Sequence, residues 1–423
     1  MSQRVSRRKF FRNTQHALMA SGVAVCGSAL AEAGSRTRPA ESGADYYAKM
    51  GVVPLINAAG TYTVLSGCVM PAEVQAAITR AAQSHVQIQE LQRASGEYLA
   101  QRLHCEGALV TAGAASALTL GTAACVTLGN DRAILNLPVD MSGLKNEVIV
   151  QKSHRYDYDH ALRNCGIRFV EVETLPEYEA AFNSQTVMAH FFNAAESGQI
   201  SREDWVRVAH AHGVPCFNDA AADVPPISNL WKYVQMGFDL VTFSGGKGIR
   251  GPQCTGLLLG RKDLIEAARK NDFPSSNTVG RGMKVGKEEI VGLVAAVDWF
   301  LSQDDAAMRA EFQKRAERIA GELKGITSVE TRIFVPPVAN QVPHLLITYD
   351  RKQIHLSGLE VMEKMRKGTP RIELNPATGA GPAMPDLPSG ENTIVVGVWM
   401  LQPNEDVIVA RRLREVLREA MQA

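Results

Sequence analysis

No Cys-x-x-Cys pair occurs in the 423 residues, and no cysteine stands at metal-ligand spacing from a histidine. The seven cysteines, Cys26, Cys68, Cys105, Cys125, Cys165, Cys216 and Cys254, are scattered. Scatter of this kind gives neither a zinc frame nor a disulfide framework, so no metal site and no cross-linked scaffold is expected. Cys254, close to a lysine-bearing loop, is assigned to buried packing. An excess of charge is missing too: 45 Lys and Arg against 44 Asp and Glu leave a net charge of +1. That balance supplies no field for nucleic acid or an anionic membrane, and neither is expected as a partner. The apolar run at residues 17–30 is short and rich in Ala, Gly and Ser, unfit for a stable membrane anchor.

What precedes that run is specific. Ser6-Arg7-Arg8-Lys9-Phe10-Phe11-Arg12 has the pattern of a twin-arginine export signal, and Ala31-Glu32-Ala33 reads as its cleavage site. Residues 1–33 are therefore set apart from the fold, and a periplasmic location is expected. Residues 34–70 read as a linker and N-terminal arm, Gly/Ser/Arg/Pro/Ala-rich at first.

The remainder is 45% hydrophobic and 21% charged by overall composition, with ample length for a large core. Apolar strand candidates begin at Ala108, Glu147, Arg168, Thr186, Val214, Leu240 and Thr255. Helical or connecting segments separate the first six, which predicts right-handed crossovers and a largely parallel sheet. The seventh follows too closely for a crossover and is expected to be antiparallel. Residues 71–286 form this large domain. An amphipathic helix from Lys287 towards Leu323, interrupted near Gln303-Asp304-Asp305, leads into a C-terminal part spanning 287–423. Strands at 328–334, 344–349, 371–375 and 393–398, with helices at 357–367 and 404–421, make that part a smaller α+β domain.

Several residues carry chemistry. Lys247 is flanked by Gly245, Gly246 and Gly248 on a bend between two apolar strands. Glycine there permits unusual backbone angles and close approach of a flat ligand. Desolvation beside apolar strands frees the lysine amine as a nucleophile, although a hairpin with its lysine in water has the same pattern. Asp219 ends another buried strand, where the ligand crevice of an α/β sheet lies. Ala112-Gly113-Ala114-Ala115-Ser116 turns a strand into a helix whose first amides and dipole favour an anion, with the Ser116 hydroxyl as a further donor, and reads as a phosphate cradle; the alternative is a plain strand–helix turn. His154 closes the strand at 147–150, able to stack on a ring or handle a proton, or to sit as a bonded loop histidine. Arg371 enters a strand after Gly368-Thr369-Pro370 and suits either a two-point carboxylate clamp or a surface ion pair. Arg281, Lys284 and Lys287 lie in a glycine-rich stretch and reach an anionic group or solvent.

Five stretches then combine: Ile56-Asn57-Ala58-Ala59-Gly60-Thr61, residues 153–160, Asn218-Asp219-Ala220-Ala221, Phe243-Ser244-Gly245-Gly246-Lys247, and residues 283–289. Together they resemble the fold-type I pyridoxal-phosphate enzymes, in the branch of selenocysteine synthase (seryl-tRNA selenium transferase) and D-glucosaminate-6-phosphate ammonia-lyase. The resemblance implies an α/β, transferase-like fold with a seven-stranded, mostly parallel sheet and a smaller α+β C-terminal domain. It implies pyridoxal 5'-phosphate, with Lys247 holding the aldehyde as a Schiff base and Asp219 pairing with the pyridinium nitrogen. Ala114, Ala115 and Ser116 then take the phosphate, His154 stacks on the ring, Ser244 lies beside the cofactor, and Arg371, Asn57 and Arg281 bind substrate. A homodimer or assembly of dimers is implied, with the arm from Asn57 reaching a neighbour's cofactor. The implied activity is a lyase that eliminates ammonia from a hydroxylated amino acid or amino sugar acid, a small-molecule amino substrate. A racemase, an aminotransferase or a selenium-transferase-like enzyme shares the same cofactor residues, and the near-neutral charge speaks against holding a tRNA. An exported, non-catalytic cofactor-binding protein needs no electron sink, which Lys247 and Asp219 provide.

Overall fold

The structure is a computed structural model that describes residues 44–193, 199–379 and 387–422. The export pattern, residues 1–33, and most of the linker lie outside these. Residues 44–53 belong to a unit of their own. Its helix, Tyr46–Met50, starts on Asp45, whose carboxylate accepts from the Ala48 N–H at 3.1 Å, and ends on Gly51 at φ 71°. None of its five residues is buried.

The second unit, from Pro54 onward, contains the strands β1 (Ile56–Ala58), β2 (Gly107–Thr111), β3 (Glu147–Gln151), β4 (Arg168–Val172), β5 (Thr186–Phe192), β6 (Cys216–Asp219), β7 (Leu240–Ser244), β8 (Gly256–Gly260), β9 (Val329–Phe334), β10 (His344–Tyr349), β11 (Ile372–Leu374) and β12 (Thr393–Gly397). Seven of them form one sheet in the order β2-β8-β7-β6-β5-β3-β4. β3 runs parallel to β4 and β5, and β5, β6 and β7 run parallel in turn. β8 is antiparallel to both β2 and β7, as the short connection after β7 demands. Helices cover both faces, so the central strands are buried on both sides. Cys216, Val241 and Phe243 face one cluster with Leu99, Trp205 and Leu293. Phe217, Leu240 and Leu258 face the other with Leu118, Leu120 and Ile265. On that second face the helix Ala114–Thr127 packs tightly: a Cβ on Gly121 would lie 2.4 Å from the Phe217 ring.

The long helix is two helices, Lys287–Leu301 and Asp305–Leu323, and Asp304 caps the second by accepting from the Ala307 N–H at 2.7 Å. The small sheet is β12-β10-β9, all antiparallel. Its core contains Phe312, Ile319, Leu345, Ile347, Val361, Val396, Leu413 and Leu417. β11 does not join it. It pairs in parallel with β1, setting Ile56 against Ile372, Asn57 against Glu373 and Ala58 against Leu374. Ile56 and Ala58 thereby enter the C-terminal core.

Between a 3₁₀ turn at Lys152–His154 and a helix that begins at Asp159, Tyr156 lies in a short connection. One local expectation changes. Cys254 is exposed, not packed, because it lies on an outward turn that Thr255 closes by donating its N–H to the Pro252 carbonyl at 3.0 Å. All six described cysteines are free thiols. Among the described residues, no helix is long and apolar enough to cross a membrane.

Candidate active site

The C-terminal ends of β6 and β7 bring the reactive groups together. Period-two alternation puts Asp219 on the same sheet face as Phe217, towards the helix Ala114–Thr127. The Asp219 carboxylate is buried and accepts two hydrogen bonds: one from the Tyr156 hydroxyl at Oδ2, the other from the Ala221 N–H at Oδ1, 3.0 Å away. Burial pushes its pKa above the ordinary carboxylate value, against the pull of Tyr156, the Ala221 amide and Lys247. Among the described residues it forms no ion pair, so this is a buried acid in want of a cation.

Tyr156 is held rigidly. Its ring stacks on Phe192, with centroids 4.2 Å apart and planes 16° from parallel. Burial, reinforced by Asp219, pushes its hydroxyl pKa well up, which keeps it a donor. His190, with its Nε2 3.5 Å from that hydroxyl, is driven down to about 3 by burial and stays neutral.

Lys247 sits in a turn that only glycines can build. A Cβ on Gly245 would fall 2.1 Å from Thr255 Oγ1, one on Gly246 2.3 Å from Gln253 Cα, and one on Gly248 2.1 Å from the Val224 carbonyl oxygen. Desolvation lowers the Lys247 pKa, opposed by the charges of Asp219 and Asp223. Across the crevice, Gly113 adopts φ 89° ahead of the helix Ala114–Thr127 and makes no side-chain cap. A Cβ there would meet nothing within 4 Å. The amides of Ala114, Ala115 and Ser116 precede the first intrahelical acceptor, at a positive helix end that opens at Gly113. The Ser116 hydroxyl donates to the Ala112 carbonyl at 2.8 Å.

Residues 55–342 match the family model for L-seryl-tRNA selenium transferase (SelA). The chain belongs to this family. It is 30% identical to a 5'-C-glycyluridine monooxygenase-decarboxylase from Streptomyces sp, over 88% of this chain and 92% of the relative. It is 28% identical to the D-glucosaminate-6-phosphate ammonia lyase of Salmonella typhimurium (strain 14028s / SGSC 2262), over 88% and 98%. A solved structure of D-glucosaminate-6-phosphate ammonia-lyase superposes with a TM-score of 0.75 at 27% identity, covering 90% of this chain and all of that one.

The SelA-family chain is a pyridoxal-phosphate-dependent enzyme. Its residues fit that cofactor: the uncapped amides at Ala114–Ser116 suit a phosphate, the cation-seeking Asp219 suits a pyridinium nitrogen, and the desolvated Lys247 amine suits an aldehyde. Ser244 is half-buried at the end of β7, its N–H donating to the Ala221 carbonyl at 3.1 Å. His154 is buried beside this crevice. Its Nδ1 accepts from the Phe192 N–H at 3.3 Å, and its ring meets Phe191 edge-on at 4.5 Å.

The residues assigned to substrate are more dispersed. Asn57 shapes its own loop, accepting from the Ala59 and Gly60 amides and donating to the Gly60 carbonyl. Arg371 is engaged by Glu373 at 3.2 Å, a carboxylate whose two oxygens also share the Nε–H of Arg366. Arg281 is exposed and forms no ion pair among the described residues.

Two groups escaped the reading of the sequence. One is Tyr156, inside a recognised stretch but without an assigned role. The other is Asp223, buried four residues after Asp219. Asn193 donates to its carboxylate, Asn229 donates to its carbonyl at 2.7 Å, and burial lifts its pKa to about 7.

Proposed function

We propose that this enzyme is a lyase that removes ammonia from a hydroxylated amino acid or amino sugar acid. The observation that carries this reading is the likeness to an ammonia lyase along nearly the whole of both chains. When bound, pyridoxal phosphate draws electrons from the substrate carbon that bears the amino group and makes its hydrogen acidic. Asp219 holds positive charge at the ring nitrogen, and Tyr156 fixes the orientation of that carboxylate. The amides of Ala114, Ala115 and Ser116 hold the phosphate end. Lys247, its pKa lowered by burial, takes the proton from the amine-bearing carbon and delivers it to the departing hydroxyl on the next carbon. The C–H and C–OH bonds break and water leaves. Water then re-enters as the C–N bond is cleaved, so the products are a 2-keto acid and ammonia.

A second reading is loss of carbon dioxide from the same carbon, favoured by the relative named as a monooxygenase-decarboxylase. The holoenzyme should be incubated with a panel of D- and L-hydroxy amino acids and amino sugar acids. Ammonia and keto acid released one to one support the lyase. Carbon dioxide, the opposite enantiomer or amino transfer to an added keto acid, without ammonia, overturns it.

A further inference from the structure

A cavity of about 240 Å³ lies on the face of the large sheet away from the Asp219 carboxylate. Tyr233, which lines it, belongs to the cluster of Leu99, Trp205 and Leu293, whereas Asp219 shares the face of Phe217. One side of the cavity is Arg202 and Glu203, at the start of the helix Arg202–Ala211. Another is the helix Asn229–Met236, whose positions 229, 232, 233 and 236 fall on one face at helical spacing. The third is the loop that joins β9 to β10 in the small domain. Neither Lys247, Asp219 nor the amides at Ala114–Ser116 border it.

These walls are fixed to one another. Asn229 Nδ2 donates to the Ala339 carbonyl at 3.4 Å and to the Asp223 carbonyl at 2.7 Å, and the Gln341 N–H donates to the Pro225 carbonyl at 3.0 Å. Arg202 is anchored as well. Its Nε donates to Asn193 Oδ1 and its Nη2 to the Asn193 carbonyl at 3.2 Å, with the guanidinium 5.7 Å from the centre of the Phe191 ring. Asn193 is itself held: its side-chain amide donates to the Asp223 carboxylate and to the Tyr233 hydroxyl at 2.8 Å, and its backbone N–H to the Asp219 carbonyl at 3.0 Å. The two bonds to Asn193 leave both N–H groups on Arg202 Nη1 unspent among the described residues. No carboxylate pairs directly with Arg202 or with the exposed Lys232 among the described residues. Asp223, behind Asn193, feels the Arg202 charge, yet burial lifts its pKa to about 7 and makes it a partial counter-ion near neutrality. On the lining itself one acid, Glu203, faces two cations.

We propose that this cavity binds a small phosphate-bearing anion, held by Arg202 and Lys232 between the large domain and the β9–β10 loop. Two cations against one acid favour a ligand of more than one negative charge. A phosphate group carries about −1.5 to −2 near neutral pH, and a simple carboxylate carries one. The Nη1 N–H groups and the ammonium supply several donors to one oxyanion, and a guanidinium already fixed in place loses little freedom on binding. The volume lies below the roughly 300–1,000 Å³ of pockets for drug-sized ligands, so the guest is free phosphate or a short phosphomonoester. Once bound, the anion ties the two helices to the loop and stabilises the folded chain by mass action.

The test uses holoenzyme, in which the cofactor already fills the amides at Ala114–Ser116. Inorganic phosphate and glycerol phosphate are titrated by calorimetry, with the dicarboxylate succinate in parallel, and the unfolding temperature is recorded with and without each anion. Wild type should bind a phosphate probe and unfold at a higher temperature in its presence. Arg202→Gln should lose roughly 10- to 100-fold in affinity, the scale of a hydrogen bond to a charged group. Lys232→Gln should lose roughly 2- to 5-fold, the scale of an exposed ion pair. Lys232 is exposed, so that variant keeps the test decisive if Arg202→Gln, which also frees Asn193, fails to fold. Tighter binding of glycerol phosphate assigns the site to a phosphomonoester, and tighter binding of inorganic phosphate assigns it to the free ion. No phosphate binding to wild type, affinity undiminished in either folded variant, or an Arg202-dependent preference for succinate overturns the proposal. The probes require no turnover, so the outcome is independent of which reaction the enzyme performs.

Discussion

Replacing Tyr156 with phenylalanine isolates the contact that holds Asp219. The change removes one oxygen and keeps the ring, so the stack on Phe192 at 4.2 Å survives. Asp219 then keeps only the Ala221 amide, 3.0 Å from Oδ1, and Oδ2 loses its donor. A hydrogen bond to a charged group contributes about 1.5–3 kcal/mol, which corresponds to a pKa rise of roughly 1–2 units. Burial already lifts this carboxyl, so the variant moves further in the same direction. The sign follows: activity needs Asp219 charged, and its acid limb should shift to higher pH. Turnover near neutrality should fall by about 10- to 100-fold, the same energy expressed as a rate. Apoenzyme stability carries the matching signature. A carboxyl whose folded pKa exceeds its unfolded one loses stability as pH rises between the two values, and the variant widens that window upward. The assay is a pH profile of turnover for both proteins on one substrate, with the cofactor absorbance recorded at each pH. An acid limb and a neutral-pH rate that coincide with wild type would refute the role given to Tyr156.

Two further outcomes are expected. Lys247→Ala should retain the fold but lose the borohydride-fixable bond to the cofactor, read as the absence of the cofactor mass on the reduced protein; a fixed cofactor would place the anchor on another lysine. Asp223→Asn should alter the pH dependence of apoenzyme stability. With a folded pKa near 7 against an ordinary 3.8, wild type loses stability as pH climbs from about 4 to 7, on the order of 4 kcal/mol in all, and the neutral amide does not. Urea unfolding at pH 5 and pH 8 measures the difference, and parallel pH dependence in the two proteins counts against it.

The seven strands of the large sheet were legible because a strand buried on both faces shows as an apolar run, and crossover lengths set their direction. The lysine turn was legible for a related reason: glycines at 245, 246 and 248 mark backbone contacts too close for any side chain. The pairing of β11 with β1 was not, since a three-residue parallel pair leaves no local pattern. Nor was the Tyr156–Asp219 bond, which joins positions 63 residues apart through three crossovers. Asp223 follows three alanines and reads as loop; only the packing that buries it reveals a titrating group.

The union of β1 with β11 also sets a clock. Asn375, just past β11, donates to the carbonyl of Ala59, just past β1, at 3.0 Å across 316 residues of chain. At about 5–20 residues per second, a ribosome needs roughly 15–60 s to make that span. Throughout this interval the Asn57–Gly60 turn has been made but has nothing to dock on, whereas the strands that carry Asp219 and Lys247 are complete well before its end. The pairing of β1 is therefore completed last, after the strands of the large sheet are made. A nascent chain stopped short of Ile372 would possess its reactive lysine and acid yet leave β1 without a partner strand, so a premature stop there should expose an unpaired edge.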